Sequence, residues 1–169
     1  MKQYTVAVLG ATGAVGQEMM KILAERNFPV GKLIPLASAR SAGKTVTFKG
    51  EEVTIQEARD DAFEGVDIVL GAAENDIAKR FAPAIVKAGA VFVDNSSAFR
   101  LDENVPLVVP EINPQDVGMN QKIVQRTANS PIQGEQRAND ALDVAPLVTV
   151  VPQPYLGNLQ AQQPRNVLN

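Results

Sequence analysis

Three short stretches of this chain carry residue types suited to holding phosphate. The first is Gly10-Ala11-Thr12-Gly13-Ala14-Val15-Gly16, whose glycines recur every three residues. In a strand–turn–helix unit Gly10 allows the tight turn and Gly13 lets the backbone approach a pyrophosphate. Gly16 lets helix and sheet pack closely. Free amides at the helix start, with the positive end of its dipole, would then hold the phosphates. The second stretch, Ser38-Ala39-Arg40-Ser41-Ala42-Gly43-Lys44, lacks the Asp or Glu that binds ribose hydroxyls in an NAD-type site. It offers Arg40, Lys44 and the hydroxyls of Ser38 and Ser41, which suit a 2′-phosphate. The third is Asp94-Asn95-Ser96-Ser97-Ala98-Phe99-Arg100. Against these readings stand plainer ones: glycines that only turn the chain, and a solvated basic loop.

The composition narrows the chemistry further. The 169 residues contain no cysteine and no histidine. Thiolate nucleophiles, disulfides, zinc–thiolate sites and imidazole bases are therefore excluded, and no metal site is expected. Any reaction would use carboxylates, amines, hydroxyls or a bound cofactor. A net charge of −3 gives no reason to expect nucleic acid or an anionic membrane as partner. No signal peptide or membrane-length apolar run is seen, so the expected location is cytoplasmic.

The three stretches need strands and helices to position them. Apolar and β-branched residues up to Leu9 predict a strand buried on both faces. Val15, Met19, Ile22 and Leu23 predict the helix that follows. Asn27-Phe28-Pro29 ends it, and Leu33–Ala37 reads as a second strand. Thr45–Phe48 and Val53–Ile55 flank Lys49–Glu52 as a hairpin, and Glu57–Phe63 reads as a short acidic helix. Val66–Leu70 is the next strand. Asn75 is placed as the cap of a helix with Ile77, Phe81, Ile85 and Ala88 inward. Pro83 predicts a kink or two short helices, and Gly89 the stop. Val91–Val93 is another strand and Val105–Pro110 a short extended piece. Alternating strands and helices predict an α/β fold, a Rossmann-like, doubly wound, mostly parallel sheet with helices on both faces. The polar ends of three strands, Gly10–Gly13, Ser38–Ser41 and Asn95–Arg100, should then border one crevice.

Composition shifts near residue 118. Residues 119–169 hold 14 Asn and Gln, against 9 in the preceding 118, and five of the 11 prolines. Residues 1–118 are therefore expected to form the nucleotide-binding domain. Residues 119–169 read as a divergent tail with one strand at Leu147–Val151 and little structure in its second half.

Val6–Gly16, Leu36–Lys44, Val93–Arg100 and Val105–Asn113 together resemble the nucleotide-binding half of the aspartate-semialdehyde dehydrogenase family, over residues from about 4 to 117. That resemblance implies NADP as cofactor and an acyl phosphate, β-aspartyl phosphate, as small-molecule substrate. It implies that Thr12, Gly13, Ala14 and Val15 hold the pyrophosphate after the Gly10 turn, and that Arg40 and Ser41 hold the 2′-phosphate. Arg100 would bind the substrate's phosphate, a role its planar fork suits; a surface ion pair is the alternative. The family uses a cysteine thiolate as nucleophile and a histidine as acid/base, and is homo-oligomeric.

The departures matter equally. The family's Ile-Ile-Ala-Asn-Pro-Asn-Cys-Ser-Thr-Ile-Gln corresponds here to Ile123–Gln133, and Asn129 occupies the cysteine's position. An amide is no nucleophile, and Ser130 has no histidine to activate it. Arg126-Thr127-Ala128 is what CCG-AAC-TGC-A, one coding of Pro-Asn-Cys, yields when read one base late. The family's second domain, with most of the subunit interface, has no room in 169 residues, and Glu74 replaces part of a glycine–serine turn. The expectation is a chain complete in its cofactor domain, without a catalytic residue and inactive alone. The alternatives are a non-catalytic NADP-binding module and an N-acetyl-glutamyl-phosphate reductase-like fragment.

Overall fold

In the computed structural model, residues 2–108, 116 and 122–126 are described. The expected strand at Leu147–Val151, the stretch Val109–Asn113, and Asn129 with Ser130 lie outside them.

The centre is β1 (Tyr4–Leu9), whose alternate side chains feed two cores. Val6 and Val8 pack with Met19, Met20, Ile22 and Leu23 of α1 (Ala14–Glu25). Ala7 and Leu9 join Phe81, Ala82 and Ile85 of α2 (Asn75–Lys87) on the opposite face. A strand pointing successive residues to opposite faces thus explains the helix on each side, as expected. β2 (Val30–Ala37) and β6 (Ile68–Gly71) flank β1, both parallel to it. The full sheet runs β5-β2-β1-β6-β7-β9-β8, with every pairing in it parallel. Here β5 is Gln56–Glu57, β7 Val91–Asp94, β8 Leu107–Val108 and β9 Ile123–Arg126. The chain steps one way from β1 to β2 and the other way to β6 and β7. The gap between β1 and β6 is therefore the switch point where such sheets bind ligands.

Several local expectations change. The hairpin turn is two residues, Lys49-Gly50, both at positive φ, so β3 (Thr45–Phe48) pairs with β4 (Glu51–Thr54) and Ile55 is buried beyond the strand. Glu57 lies in β5, and the predicted acidic helix shrinks to a 3-10 turn over Asp60–Phe63. Buried Phe63, stacked at a tilt 5.6 Å from Phe81, pulls that turn against α2. Of the kink and the two short helices expected at Pro83, the second does not occur: α2 is one helix, with the exposed ring on its solvent side. The buried face of α2 is Ala78, Phe81, Ala82 and Ile85, and Ile77 is 39% exposed. The small alanines let the helix lie close to the sheet and turn Ile77 outward. Asn75 is not the cap: Glu74 holds that position without a side-chain hydrogen bond. Finally, the sheet continues past residue 118, since β9 inserts between β7 and β8.

Candidate functional site

The carboxyl ends of β2, β1, β6 and β7 stand in one row. At about 4.8 Å per strand the row from β2 to β7 spans roughly 14 Å. Gly10, at φ +89°, turns the chain at the end of β1. The amides of Gly10 and Ala11 both donate to the Leu36 carbonyl of β2, at 2.9 and 3.0 Å. On the other side a Cβ on Gly10 would lie 2.6 Å from the Ala72 carbonyl oxygen, beyond the end of β6. Glycine is thus required where the turn crosses the switch point. Gly16 is equally constrained: a Cβ there would collide with the Gly10 carbonyl. The close packing it allows is of α1 against its own turn, rather than against the sheet.

Gly13 differs from both. Its φ of −76° suits any residue, and a Cβ would meet only the Gly10 oxygen at 3.6 Å. Nothing among the described residues demands glycine there. It forms the N-cap of α1, which has no side-chain cap and no acid in its first turn. Thr12, Gly13 and Ala14 are exposed and Val15 half-buried. The start of α1 is therefore an open ring of amides beside a bare backbone, which fits a pyrophosphate. The start of α2 contrasts with it, carrying Glu74 at its N-cap and Asp76 in its first turn. Of the two helix starts at this edge, only that of α1 favours an anion.

At the end of β2, residues Ser38 to Lys44 form a compact turn, with the amides of Ser41 and Ala42 donating to the Ser38 carbonyl. Ser38 and Arg40 are exposed and Ser41 is half-buried. Neither Arg40 nor Lys44 forms an ion pair among the described residues. An acid does stand near in register: exposed Glu57 of β5, opposite Ala37.

The end of β7 is more heavily built than the sequence suggested. Asp94 is fully buried. Its carboxylate accepts from the Ser96 amide at 3.2 Å and from the Ser96 hydroxyl. The Ser96 oxygen in turn accepts from the Ala98 amide at 3.1 Å. A Cβ on Gly71 would lie 2.6 Å from Asp94 Oδ1, so glycine at the end of β6 makes room for this carboxylate. The signal was present in the pairing of a strand-terminal Gly with a strand-terminal Asp, which only the register Gly71↔Asp94 makes meaningful. Asn75 bridges to Ser97: the Ser97 amide donates to Oδ1 at 2.9 Å, and Nδ2 donates to the Ser97 hydroxyl at 2.8 Å. Between the two loops lies a cleft of about 450 Å³ lined by Ala73, Glu74, Asn75, Asp76 and Ser96. Arg100 is exposed beyond it and has no ion pair among the described residues.

The row therefore runs from Ser38, Arg40 and Ser41, through the Gly10–Val15 turn, to the cleft and the loop that carries Arg100. The two arginines stand at its opposite ends. No cluster of three or more potential metal ligands occurs among the described residues.

Comparison with known proteins gives a consistent picture. Residues 5–119 match the family model for semialdehyde dehydrogenase, NAD binding domain. The chain is 53% identical over 128 residues to an aspartate-semialdehyde dehydrogenase of Bacillus subtilis, covering 76% of this chain and 37% of that protein. With the Synechocystis enzyme of the same name the identity is 57% over 119 residues, covering 70% and 35%. Among solved structures, aspartate semialdehyde dehydrogenase II of Vibrio cholerae complexed with ASA superposes with a TM-score of 0.71 at 43% identity, over 75% of this chain and 42% of that one. The Candida albicans enzyme with NADP superposes at 0.63 and 28% identity, over 88% and 46%. The chain thus spans little more than a third of the length of these two curated relatives.

Proposed function

Because the chain belongs to the semialdehyde dehydrogenase family through its NAD-binding domain, we propose that it is the NADP-binding unit of an aspartate-semialdehyde dehydrogenase-type protein. The observation that carries this is the start of α1. There a helix without a side-chain cap and a position that nothing among the described residues requires to be glycine meet at the switch point of a doubly wound sheet.

In this reading the cofactor lies along the row of strand ends. Gly10 shapes the turn, while Thr12, Gly13, Ala14 and Val15 present backbone to the pyrophosphate. Ser38, Arg40 and Ser41 take the 2′-phosphate, so the adenosine lies at the β2 end. The nicotinamide end then reaches the cleft between Ala73 and Ser96. When bound, the nicotinamide supplies hydride for reduction of an acyl group. Arg100 binds the phosphate of an acyl phosphate such as β-aspartyl phosphate, and its lack of an ion pair among the described residues leaves the fork open to do so. Residues 1–118 act as the cofactor domain, with Ile123–Arg126 adding β9 to its sheet, and the rest of 119–169 stands where the catalytic and dimerisation domain begins in the family. The absence of cysteine and histidine from the composition makes the chain catalytically incomplete by itself, with Asn129 in place of the nucleophile. It acts in the cytoplasm, and no helix among the described residues is long and apolar enough to cross a membrane.

Calorimetric titration with NADP and NAD tests this. NADP should bind about tenfold more tightly; failure to bind either would overturn the assignment. The same chemistry fits a non-catalytic NADP-binding module. Sequencing the encoding DNA beyond the Ile123–Gln133 stretch separates the two, since a cysteine-containing second domain in a shifted frame belongs only to the enzyme.

A further inference from the structure

We propose that Asn75 is a positioning residue for Arg100, acting through Ser97. The inference rests on the reading that Arg100 receives a phosphate group, and adds to it the means by which that arginine is held in place. The loop from Asn95 to Arg100 leaves the sheet at β7. Its beginning is tied down by Asp94, whose carboxylate holds Ser96, and by the Asn95 amide, which donates to the Gly71 carbonyl at 3.0 Å. Phe99 packs its ring edge against Phe92 beneath. The middle of the loop is tied to α2 by both ends of one amide. Asn75 Oδ1 accepts from the Ser97 amide at 2.9 Å, and Asn75 Nδ2 donates to the Ser97 hydroxyl at 2.8 Å. Ser97 passes this on directly, because its carbonyl accepts from the Arg100 amide at 3.3 Å.

The placement of Asn75 argues for a role beyond helix stability. Asparagine at a helix start ordinarily caps it, accepting a hydrogen bond from a free amide of the first turn. Here it stands one residue inside α2, the preceding Glu74 makes no side-chain cap, and the asparagine amide is spent on a loop 22 residues away. The helix forgoes a cap, and the Arg100 loop gains an anchor. An exposed arginine on a mobile loop would lose much of its affinity for phosphate to ordering entropy, whereas a fixed loop leaves only the side-chain rotors to be ordered.

The test follows the Arg100 side chain itself. The full chain, labelled at arginine, is titrated with inorganic phosphate while the Arg100 Nε–H signal is monitored by NMR. Adenosine 2′,5′-bisphosphate, confined to the Arg40 and α1 end, serves as control ligand, and thermal unfolding reports on the fold. Asn75→Ala should weaken phosphate binding at Arg100 about fivefold, the range expected for loss of a bridging hydrogen bond; Ser97→Ala, which leaves the Ser97 amide donating to Asn75 Oδ1, should weaken it less. The double variant should be no weaker than Asn75→Ala alone, since that substitution already removes every bond of the link. Bisphosphate affinity should stay at its original value, and the unfolding temperature should fall by no more than a few degrees. Unchanged phosphate binding, additive losses, or an equal loss at the bisphosphate site would overturn the positioning role while leaving Arg100 as the phosphate ligand. An Arg100 signal indifferent to phosphate in the unaltered chain would overturn both.

Discussion

Gly13 and Gly16 sit three residues apart in one turn, and different forces hold them as glycine. A Cβ at 16 would collide with the Gly10 carbonyl, whereas one at 13 would meet the same oxygen at an ordinary 3.6 Å. Gly16→Ala should therefore destabilise the fold by about 1–3 kcal/mol, the usual cost of overpacking against backbone that cannot move. Gly13→Ala should cost no more than about 1 kcal/mol, the difference between a fair and a poor N-cap. Its effect should fall on NADP, whose pyrophosphate needs the space a methyl group would fill. Denaturant unfolding and calorimetry on the same two variants check both halves. If Gly13→Ala binds NADP unchanged, the phosphates do not approach this backbone. Arg40 makes a second prediction at the same scale. A charge-assisted contact to phosphate contributes on the order of 1.5–3 kcal/mol, and the exposure of Arg40 places it at the lower end. Arg40→Ala should weaken NADP binding about tenfold and leave NAD binding alone, bringing the two affinities together. Equal losses for both cofactors would move the 2′-phosphate elsewhere. The nearby carboxylate of Glu57 does not reverse this expectation, because it stands on β5 and the cations belong to the turn itself.

At the scale of elements, α2 carries a proline at its exposed face. Pro83 supplies no amide to the helix ladder, so Pro83→Ala should stabilise the chain. The gain should be about 1–2 kcal/mol, below the ~3 kcal/mol typical of an interior helix proline, because proline also restricts the unfolded chain. A higher unfolding midpoint checks it, and a lower one would mean the ring packs where it is judged exposed. This helix also shows what was legible in the sequence. Its existence, its stop at Gly89 and two of its inward residues, Phe81 and Ile85, follow from apolar spacing. Its rotation does not, because Ala78 and Ala82 carry little hydrophobic signal yet decide how closely helix and sheet approach. The strands β1, β6 and β7, and β2 from Leu33 onward, were readable for the opposite reason: they are buried on both faces, so nearly every residue in them is apolar. The start of β2, Val30 to Lys32, is not buried and was not read as strand. β9 was not, since four residues with two polar side chains gain strand structure only from the neighbours they pair with. The Gly71–Asp94 and Asn75–Ser97 contacts escaped for a related reason, being products of register between distant segments. The glycine turn was legible as a turn between strand and helix, but what demands glycine at Gly10, the Ala72 carbonyl beyond β6, was not, since it comes from a distant segment.

For the molecule as a whole, cofactor binding and catalysis come apart. On the proposed reading, the groups that cradle the dinucleotide lie on the strand ends described above. Nothing in the composition can form a thioester, because the 169 residues include no sulfur nucleophile and no imidazole. Serine is no substitute: its hydroxyl is far harder to ionise than a thiol of pKa about 8.5, and it needs a base that the composition does not offer as histidine. The chain alone should therefore bind NADP and show no turnover when NADP reduction is followed with aspartate semialdehyde and phosphate. Asn129→Cys should stay inactive as well. A thiolate at that position would still lack the histidine that moves the proton, and groups that act as a unit are strongly non-additive, so one without the other recovers little. Turnover by the unaltered chain, proportional to its concentration and free of contaminating full-length enzyme, would show that a carboxylate or amine on this scaffold performs chemistry that its geometry does not display. Turnover by Asn129→Cys alone would place a proton carrier near residue 129.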